Sequence, residues 1–594
     1  MKFDDILKEI GEFGKYQRWV YAMVCIIALP VAAHQMAQVF LAGASDHWCD
    51  VAAWSEEDCQ KWEYTEEQCI EAKRNASSPV NGTEDELQCT KYSIVDKLVF
   101  NPGLDPVNYN DTETIECNNG WVYDRSQFKS SLIQEFDLVC DDANLDSVAQ
   151  SLFFVGVLIG SLLFGALADM FGRRITLFVA LFIQIAVGVG IAFSPSFWWF
   201  ASLRIVLACA NMGVFLLCFI IGTEMVGPNK RTVAGMSIQI AFSFGYMFFA
   251  LIAYFIRDWM ILQLVISLPA VLFFVFFPFI PESPRWLICK GRTEEATKII
   301  MKAADTNKKD LPDPIFTSEE IKEQQDALTA KQATFLDLFK TPNLRIRTLN
   351  CMFNWFVNTM VYYGLSLDTS DLGANDYIAF FISGAVEVPA VITGIFAIDY
   401  FGRAKSTCGY MVFGGVACLC TTFTPLGAWR TTVAMLGKFG ITASFAIIYI
   451  FSAELFPTPV RSVGVGICSM SARIAGILSP YVLLLDEVWE PLPVIIFGVL
   501  SIIAGVLILF VPETLGAQLP QTIEEGELFG TCDGKCSDAL LRRIPLKLFR
   551  EEKEGRELQE KKSEDYTLQT ISSSLDEKPK EENGQVNQAF ENNI

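Results

Sequence analysis

Arg473, Glu387 and Lys438 are ionisable side chains inside otherwise apolar runs, 462–485, 375–398 and 429–452 respectively. An ionisable group at the centre of a hydrocarbon layer costs about 2.5–3.5 kcal/mol on insertion scales, so it faces a cavity or a partner. These residue types offer recognition rather than bond-making. A guanidinium holds a carboxylate through two parallel hydrogen bonds, which suits Arg473 to a substrate carboxylate; a structural ion pair is the alternative. Glu387, in GAVEVPA, balances a cationic group or pairs with Arg473. Lys438 senses anions or lines the path of entry. Trp355, Tyr362 and Tyr363 share the run 346–366, and a spacing of seven puts Trp355 and Tyr362 on one helix face. Such rings hold a quaternary ammonium by cation–π attraction of about 0.5–2 kcal/mol each; simple packing is the competing role. Asn358 and Gln239 are neutral polar candidates for the same cavity, while Arg204 and His34 are read as ties between helices. An enzyme is the least favoured class. The chain has two histidines, His34 and His47, no metal-ligand cluster and no nucleophile motif. The CxxxC pair Cys532 and Cys536 is too little for a metal site.

Apolar runs must position these groups. Of the 594 residues, 52% are hydrophobic, and the mean hydropathy is +0.33, values that a water-soluble chain rarely reaches. A crossing needs about 20 residues. After a charged segment, 1–18, the first run is 19–41. Ala42-Gly43-Ala44 looks like a signal-peptidase site, but the run is long and its leader holds as many acids as bases, so an uncleaved first helix with a cytosolic N-terminus is expected. Five runs follow within 146–280, and a charged segment, 281–345, separates them from six more within 346–511. The tail, 512–594, is rich in Glu, Lys, Ser, Gln and Asn and is predicted to be disordered.

The two sets of six are copies. A shift of 230 carries Asp169, Gly172 and Arg173 to Asp399, Gly402 and Arg403, and carries Glu224 to Glu454 and Arg231 to Arg461. A shift of 231 carries Glu282 to Glu513. Internal repeats of this kind are typical of secondary transporters. The charges are predicted at helix ends on one side, where exposed pairs stabilise by only about 0–1 kcal/mol each. They have conditional value as an inner gate that closes when the halves approach; orientation and solubility are the plainer role. Arg473 falls opposite the neutral Ser243 at the same shift, so the repeat breaks there. That break suggests substrate chemistry rather than scaffold.

The long connection 42–145 holds Cys49, Cys59, Cys69, Cys89, Cys117 and Cys140, with sequons at Asn75, Asn81 and Asn110. Both features fit an oxidising, glycosylating compartment. Three disulfides are expected, with fifteen pairings open. Placing this loop outside puts Arg173, Arg174, Lys230, Arg231, Arg403 and Arg461 on the cytosolic side, as the positive-inside rule requires. The net charge of −22 excludes nucleic acid as a partner.

GALADMFGRR at 165–174 and its weaker echo AIDYFGRAK at 397–405 resemble the loop motif of the major facilitator superfamily. PESPRW and PETLG are similar to the interdomain motifs of its sugar-porter-like families. GWVYDRSQFKSSLIQEFDLVC at 120–140 narrows the resemblance to solute carrier family 22. YYGLSLDT, GKFGITASFAIIYIFSAELFPTPVRSVGVG and SARIAGILSPY resemble its organic cation/carnitine branch, although the outer loop is long for that branch. The resemblance implies an all-α membrane protein with the major facilitator fold: twelve transmembrane helices in two six-helix pseudo-repeats, with a large disulfide-bonded extracellular loop. It implies a polyspecific plasma-membrane transporter of organic cations and carnitine-like zwitterions, working by alternating access, with both termini cytosolic. It also implies that the inner-gate charges form an ion-pair latch in the outward-open state. Cation-selective members carry an acid at the place of Arg473, whereas carnitine-type and anion-type members carry arginine; some cation carriers have an acid where Asn358 stands. An organic-anion carrier is the runner-up, and a receptor or adhesion protein is the reading from another class. The expected partners are a small organic substrate and the lipid bilayer. No cofactor is expected, and sodium or proton coupling stays open.

Overall fold

The computed structural model describes residues 3–51, 65–79, 88–95, 113–311, 334–368, 375–517 and 519–530. The chain divides into two units, Met1–Phe529 and Gly530–Ile594; the second lies outside the described residues apart from Gly530.

Among the described residues, twelve helices, the shortest of nine residues, build the body of the first unit. They are α1 Lys15–Met36, α2 Leu145–Phe171, α3 Arg173–Ile191, α4 Phe197–Glu224, α5 Pro228–Phe255 and α6 Trp259–Ser267, then α7 Pro342–Leu367, α8 Asp376–Tyr400, α9 Arg403–Thr421, α10 Ala428–Leu455, α11 Arg461–Leu483 and α12 Leu492–Leu507. Helix α6 continues as a 3-10 stretch, Leu268–Phe276, and α12 as Ile508–Phe510. Ten of these regions are both long and apolar enough to cross a membrane. Helices α7 and α9 match them in length but carry more polar groups, among them Asn350, Asn354 and Asn358 on α7. Small residues let helices touch: the faces of Gly156 and Gly160 on α2 lie against the backbone carbonyls of Ile205 and Cys209 on α4.

The halves meet along two seams, α2 with α11 and α5 with α8. Both are tight at the end of the bundle that carries the long connection, here the loop end. Ser151 on α2 donates to the Ile477 carbonyl on α11 at 2.9 Å. Phe40, just beyond α1, stacks on Tyr377 of α8 at 5.1 Å, and Tyr246 of α5 stacks on Phe380 of α8 at 4.1 Å.

Four short strands organise the described part of the loop. β1 His47–Cys49 pairs antiparallel with β4 Trp121–Tyr123, and β2 Thr90–Tyr92 with β3 Thr114–Glu116. Disulfides join Cys49 to Cys117 and Cys89 to Cys140. Cys69 is also disulfide-bonded, while Cys59 lies outside the described residues. Asn75 is exposed on the helix Glu66–Ser77; Asn81 and Asn110 lie outside the described residues.

The expectation of a wholly disordered tail is corrected at its start. The helix Ile523–Leu528 docks on the beginning of α7, because its Glu527 carboxylate accepts the otherwise unsatisfied N–H groups of Asn343 and Leu344, both at 2.9 Å. Arg347 donates to the carbonyls of Gly526 and Phe529 at 2.5 and 2.6 Å. Burial pushes the Glu527 carboxyl up, but those backbone donors, with Thr341 and Arg347, outweigh it and hold it below the usual carboxylate range. A carboxyl depressed in the fold contributes its stability above the unfolded value, and the contribution is lost as pH falls through the folded one. Residues 519–529 are therefore expected to stay protected from amide hydrogen exchange near neutrality and to lose protection as pH falls through and below the ordinary carboxylate range; Glu527→Gln loses part of that protection at pH 7.

Candidate functional site

Glu387 on α8 and Lys438 on α10 form an ion pair at 3.3 Å, with side chains 3% and 0% exposed. The hydrogen-bond partners around the pair are hydroxyls carried on helices. Tyr362 on α7 donates to Glu387 Oε1 at 2.7 Å, and Ser243 on α5 donates to Glu387 Oε2 at 2.8 Å. Lys438 Nζ donates to Ser383 of α8 at 2.6 Å and to Ser366 of α7 at 2.9 Å. The Tyr246 hydroxyl lies 3.2 Å from Ser383 Oγ. The ammonium also sits 4.6 Å from the Tyr246 ring centroid and 5.2 Å from that of Tyr362. The sequence left Glu387 to pair with a substrate cation or with Arg473; in the fold its ionic partner is Lys438.

Arg473 on α11 is placed differently. It is 7% exposed, and its guanidinium interacts with the Tyr449 hydroxyl of α10. Its Nε has no partner, and no carboxylate among the described residues forms an ion pair with it. The remaining candidates divide. Tyr363 is edge-on to Tyr362 at 5.2 Å, packs on Phe154 of α2 at 4.5 Å and accepts a hydrogen bond from Gln35 of α1. Trp355 is fully buried within the second half, against Tyr449 at 4.3 Å, and donates to Ser452 at 2.7 Å. Asn358 is buried between α7 and α10, where it donates to the Asn354 carbonyl and accepts from Ser444. Gln239 is half-buried one turn before Ser243. Arg204 ties α4 to α2 through Gln150 at 3.0 Å. His34, expected to bond a neighbouring helix, is buried with both ring nitrogens unpartnered.

At the opposite end of the bundle the repeated charges close on their own halves. Arg173 pairs with Asp169 at 3.1 Å and Glu224 at 3.5 Å; Arg403 pairs with Glu454 at 2.9 Å, and Asp399 is exposed. Glu282 and Glu513 do a separate job. Each carboxylate caps a helix start, accepting from the backbone N–H of Arg173 and of Arg403, both at 2.7 Å. The turns before those helices need glycine, since Gly172 and Gly402 have φ of +99° and +91° and a carboxylate fills the space of a side chain. Arg231 leaves its expected cluster for Asp4 at 2.9 Å, on the N-terminal helix Phe3–Glu9, and Arg461 bonds the Phe456 carbonyl and Thr458. No ion pair among the described residues joins the two halves at this end, so the predicted latch is unmade in this conformation.

A family described as sugar (and other) transporter matches residues 108–525. An organic cation transporter protein of Drosophila melanogaster is 43% identical over 538 residues, covering 89% of this chain and 95% of that protein. The chain belongs to the major facilitator superfamily, in solute carrier family 22. The family 22 relatives include organic cation/carnitine transporter 2 of Mus musculus, 36% identical over 88% of this chain and 93% of that one, and solute carrier family 22 member 13 of Homo sapiens, 37% identical over 89% and 93%. Among solved structures, the proton:xylose symporter XylE bound to 6-bromo-6-deoxy-D-glucose shares the fold with a TM-score of 0.55 at 18% identity, covering 86% of this chain and all of that one. This family 22 chain is thus a membrane transporter and not an enzyme. Sequence reasoning missed Ser243, Tyr246, Ser366, Ser383 and Tyr449 in its site. The available signal was weak: Ser243 and Tyr246, three apart, share a face of α5.

Proposed function

We propose that this carrier moves organic cations and zwitterions of the carnitine type across the plasma membrane by alternating access, with the long loop outside and both termini in the cytosol. The observation that carries the reading is Arg473, nearly buried and without a carboxylate partner among the described residues. A substrate carboxylate would supply that partner, and the rings of Tyr362, Tyr363 and Tyr449 would face its cationic end. Relatives named organic cation/carnitine transporter support the substrate class. The runner-up, an organic-anion carrier, is weakened because Lys438 is already neutralised by Glu387. With the loop end closed and no ion pair among the described residues across the other end, the conformation fits an inward-facing state. The inner-gate charges would then latch across the halves in the outward-open state.

Uptake of radiolabelled carnitine, tetraethylammonium and a dicarboxylate by cells expressing the chain, with and without sodium, tests the substrate class. Carnitine uptake above that of untransfected cells is expected; transport of the dicarboxylate alone would move the reading to the runner-up. For the latch, Arg403→Ala is expected to lower kcat several-fold with KM nearly unchanged, and an unchanged kcat would remove it.

A further inference from the structure

The buried pair has a geometry that substrate binding does not require. Ser243 and Tyr246 belong to α5, in the first half of the repeat, whereas Glu387, Ser383 and Lys438 belong to the second. The carboxylate holds Ser243 directly at 2.8 Å. The ammonium holds Ser383 at 2.6 Å, and Ser383 meets Tyr246 at 3.2 Å. One ion pair therefore supports two polar links across the seam. Beyond it towards the loop end lie the stacked rings of Tyr246 and Phe380, then of Phe40 and Tyr377.

The repeat argues that this pair is not common scaffold. At the shift of 230, Glu387 corresponds to Val157 and Lys438 to Ala208, both of them apolar and buried. The first copy folds the same kind of helices without either charge. Accessibility separates the pair from Arg473 as well: Glu387 and Lys438 are 2% and 0% exposed, and Arg473 is 7% exposed with an open Nε. A group sealed this completely meets no ligand in this conformation. Parting α5 from α8 takes Ser243 and Tyr246 off it.

The geometry points to the Glu387–Lys438 pair as a charge-held bolt of the outer gate, with Ser243 and Tyr246 as its catch on the opposite half. Parting the seam costs the carboxylate its Ser243 hydroxyl, and costs Ser383, which holds the ammonium, its contact with Tyr246. A charged substrate arriving from the loop side replaces them, its cationic end at Glu387 or its carboxylate at Lys438, so opening is favoured when a charged molecule is present to fill the place. This rests on the alternating-access reading above but not on which substrate is carried.

Ser151 lies in the other seam at the same end and is 3% exposed, so a cysteine placed there reports opening. The full chain carrying Ser151→Cys, with exposed Cys420 replaced by serine, is treated in intact cells with a membrane-impermeant methanethiosulfonate, without substrate. Ser243→Ala combined with Tyr246→Phe is expected to raise the modification rate about fivefold, the scale of one ordinary hydrogen bond. Glu387→Gln alone gives a similar rise, and adding it to the double variant gives little more, because all three break one device. An unchanged rate in the double variant, at wild-type surface amounts, overturns the bolt. So does full additivity of the three substitutions. If Glu387→Gln fails to reach the surface, the hydroxyl variants still decide, since they leave the ion pair whole. Because no substrate is added, failure here is distinct from failure of the carnitine reading, which only uptake reports.

Discussion

Arg473→Asp is expected to abolish uptake of carnitine and other carboxylate-bearing substrates while leaving the amount of protein at the cell surface unchanged. A hydrogen bond to a charged group contributes about 1.5–3 kcal/mol, so losing a forked pair lowers kcat/KM by about a hundredfold before any repulsion is counted. Aspartate adds repulsion, because it sets a second negative charge against the substrate's own. The fold should tolerate the change, because among the described residues Arg473 holds no carboxylate that would be left uncompensated. Two companions sharpen the outcome. Arg473→Lys keeps the charge but loses the planar fork, and should fall between wild type and aspartate. Tetraethylammonium, which has no carboxylate, should be affected far less than carnitine in both variants. Radiolabelled uptake measured against surface biotinylation checks each point; undiminished carnitine uptake by Arg473→Asp removes the proposed role.

How much of this was legible beforehand depended on whether a feature was repeated or relational. The duplication, the two glycine turns and the loop cysteines are local, and they repeat or cluster; their meaning could be read from spacing alone. Arg473 stood out for the opposite reason, since its counterpart Ser243 is neutral. What was not legible was who pairs with whom. Glu387 and Lys438 are 51 positions apart on different helices, and nothing in either run says that their side chains point at each other. Glu282 and Glu513 look like rim charges in sequence. Only the folded turn shows each carboxylate capping a helix start. Arg231 was assigned by symmetry to a latch with its repeat partners. Symmetry failed because Arg231 meets Asp4, on a short helix ahead of α1, instead of its repeat partners.

The same distinction governs which charge matters most for stability. Lys438→Met should be the most destabilising single change among the ionic residues described. It leaves Glu387, 2% exposed, without its counter-charge, and breaking a buried pair by removing one partner typically costs about 3–5 kcal/mol. Arg430 and Glu490 make a shorter ion pair, at 2.5 Å, but their side chains are 20% and 66% exposed. Water replaces most of what that pair loses, so Arg430→Ala should cost less than about 1 kcal/mol. The melting temperature of the purified protein in detergent should therefore drop clearly for Lys438→Met and hardly at all for Arg430→Ala, reversing the order that distance alone would suggest. Adding Glu387→Gln to Lys438→Met should recover much of the loss, because a neutral amide accepts from one of the Tyr362 and Ser243 hydroxyls and donates to the other, and no charge is left stranded. Such recovery would show that the pair is not retained for stability. Its reason would then lie in what the two charges do when the seam opens, and a double variant that melts like the wild type yet transports poorly would locate it there.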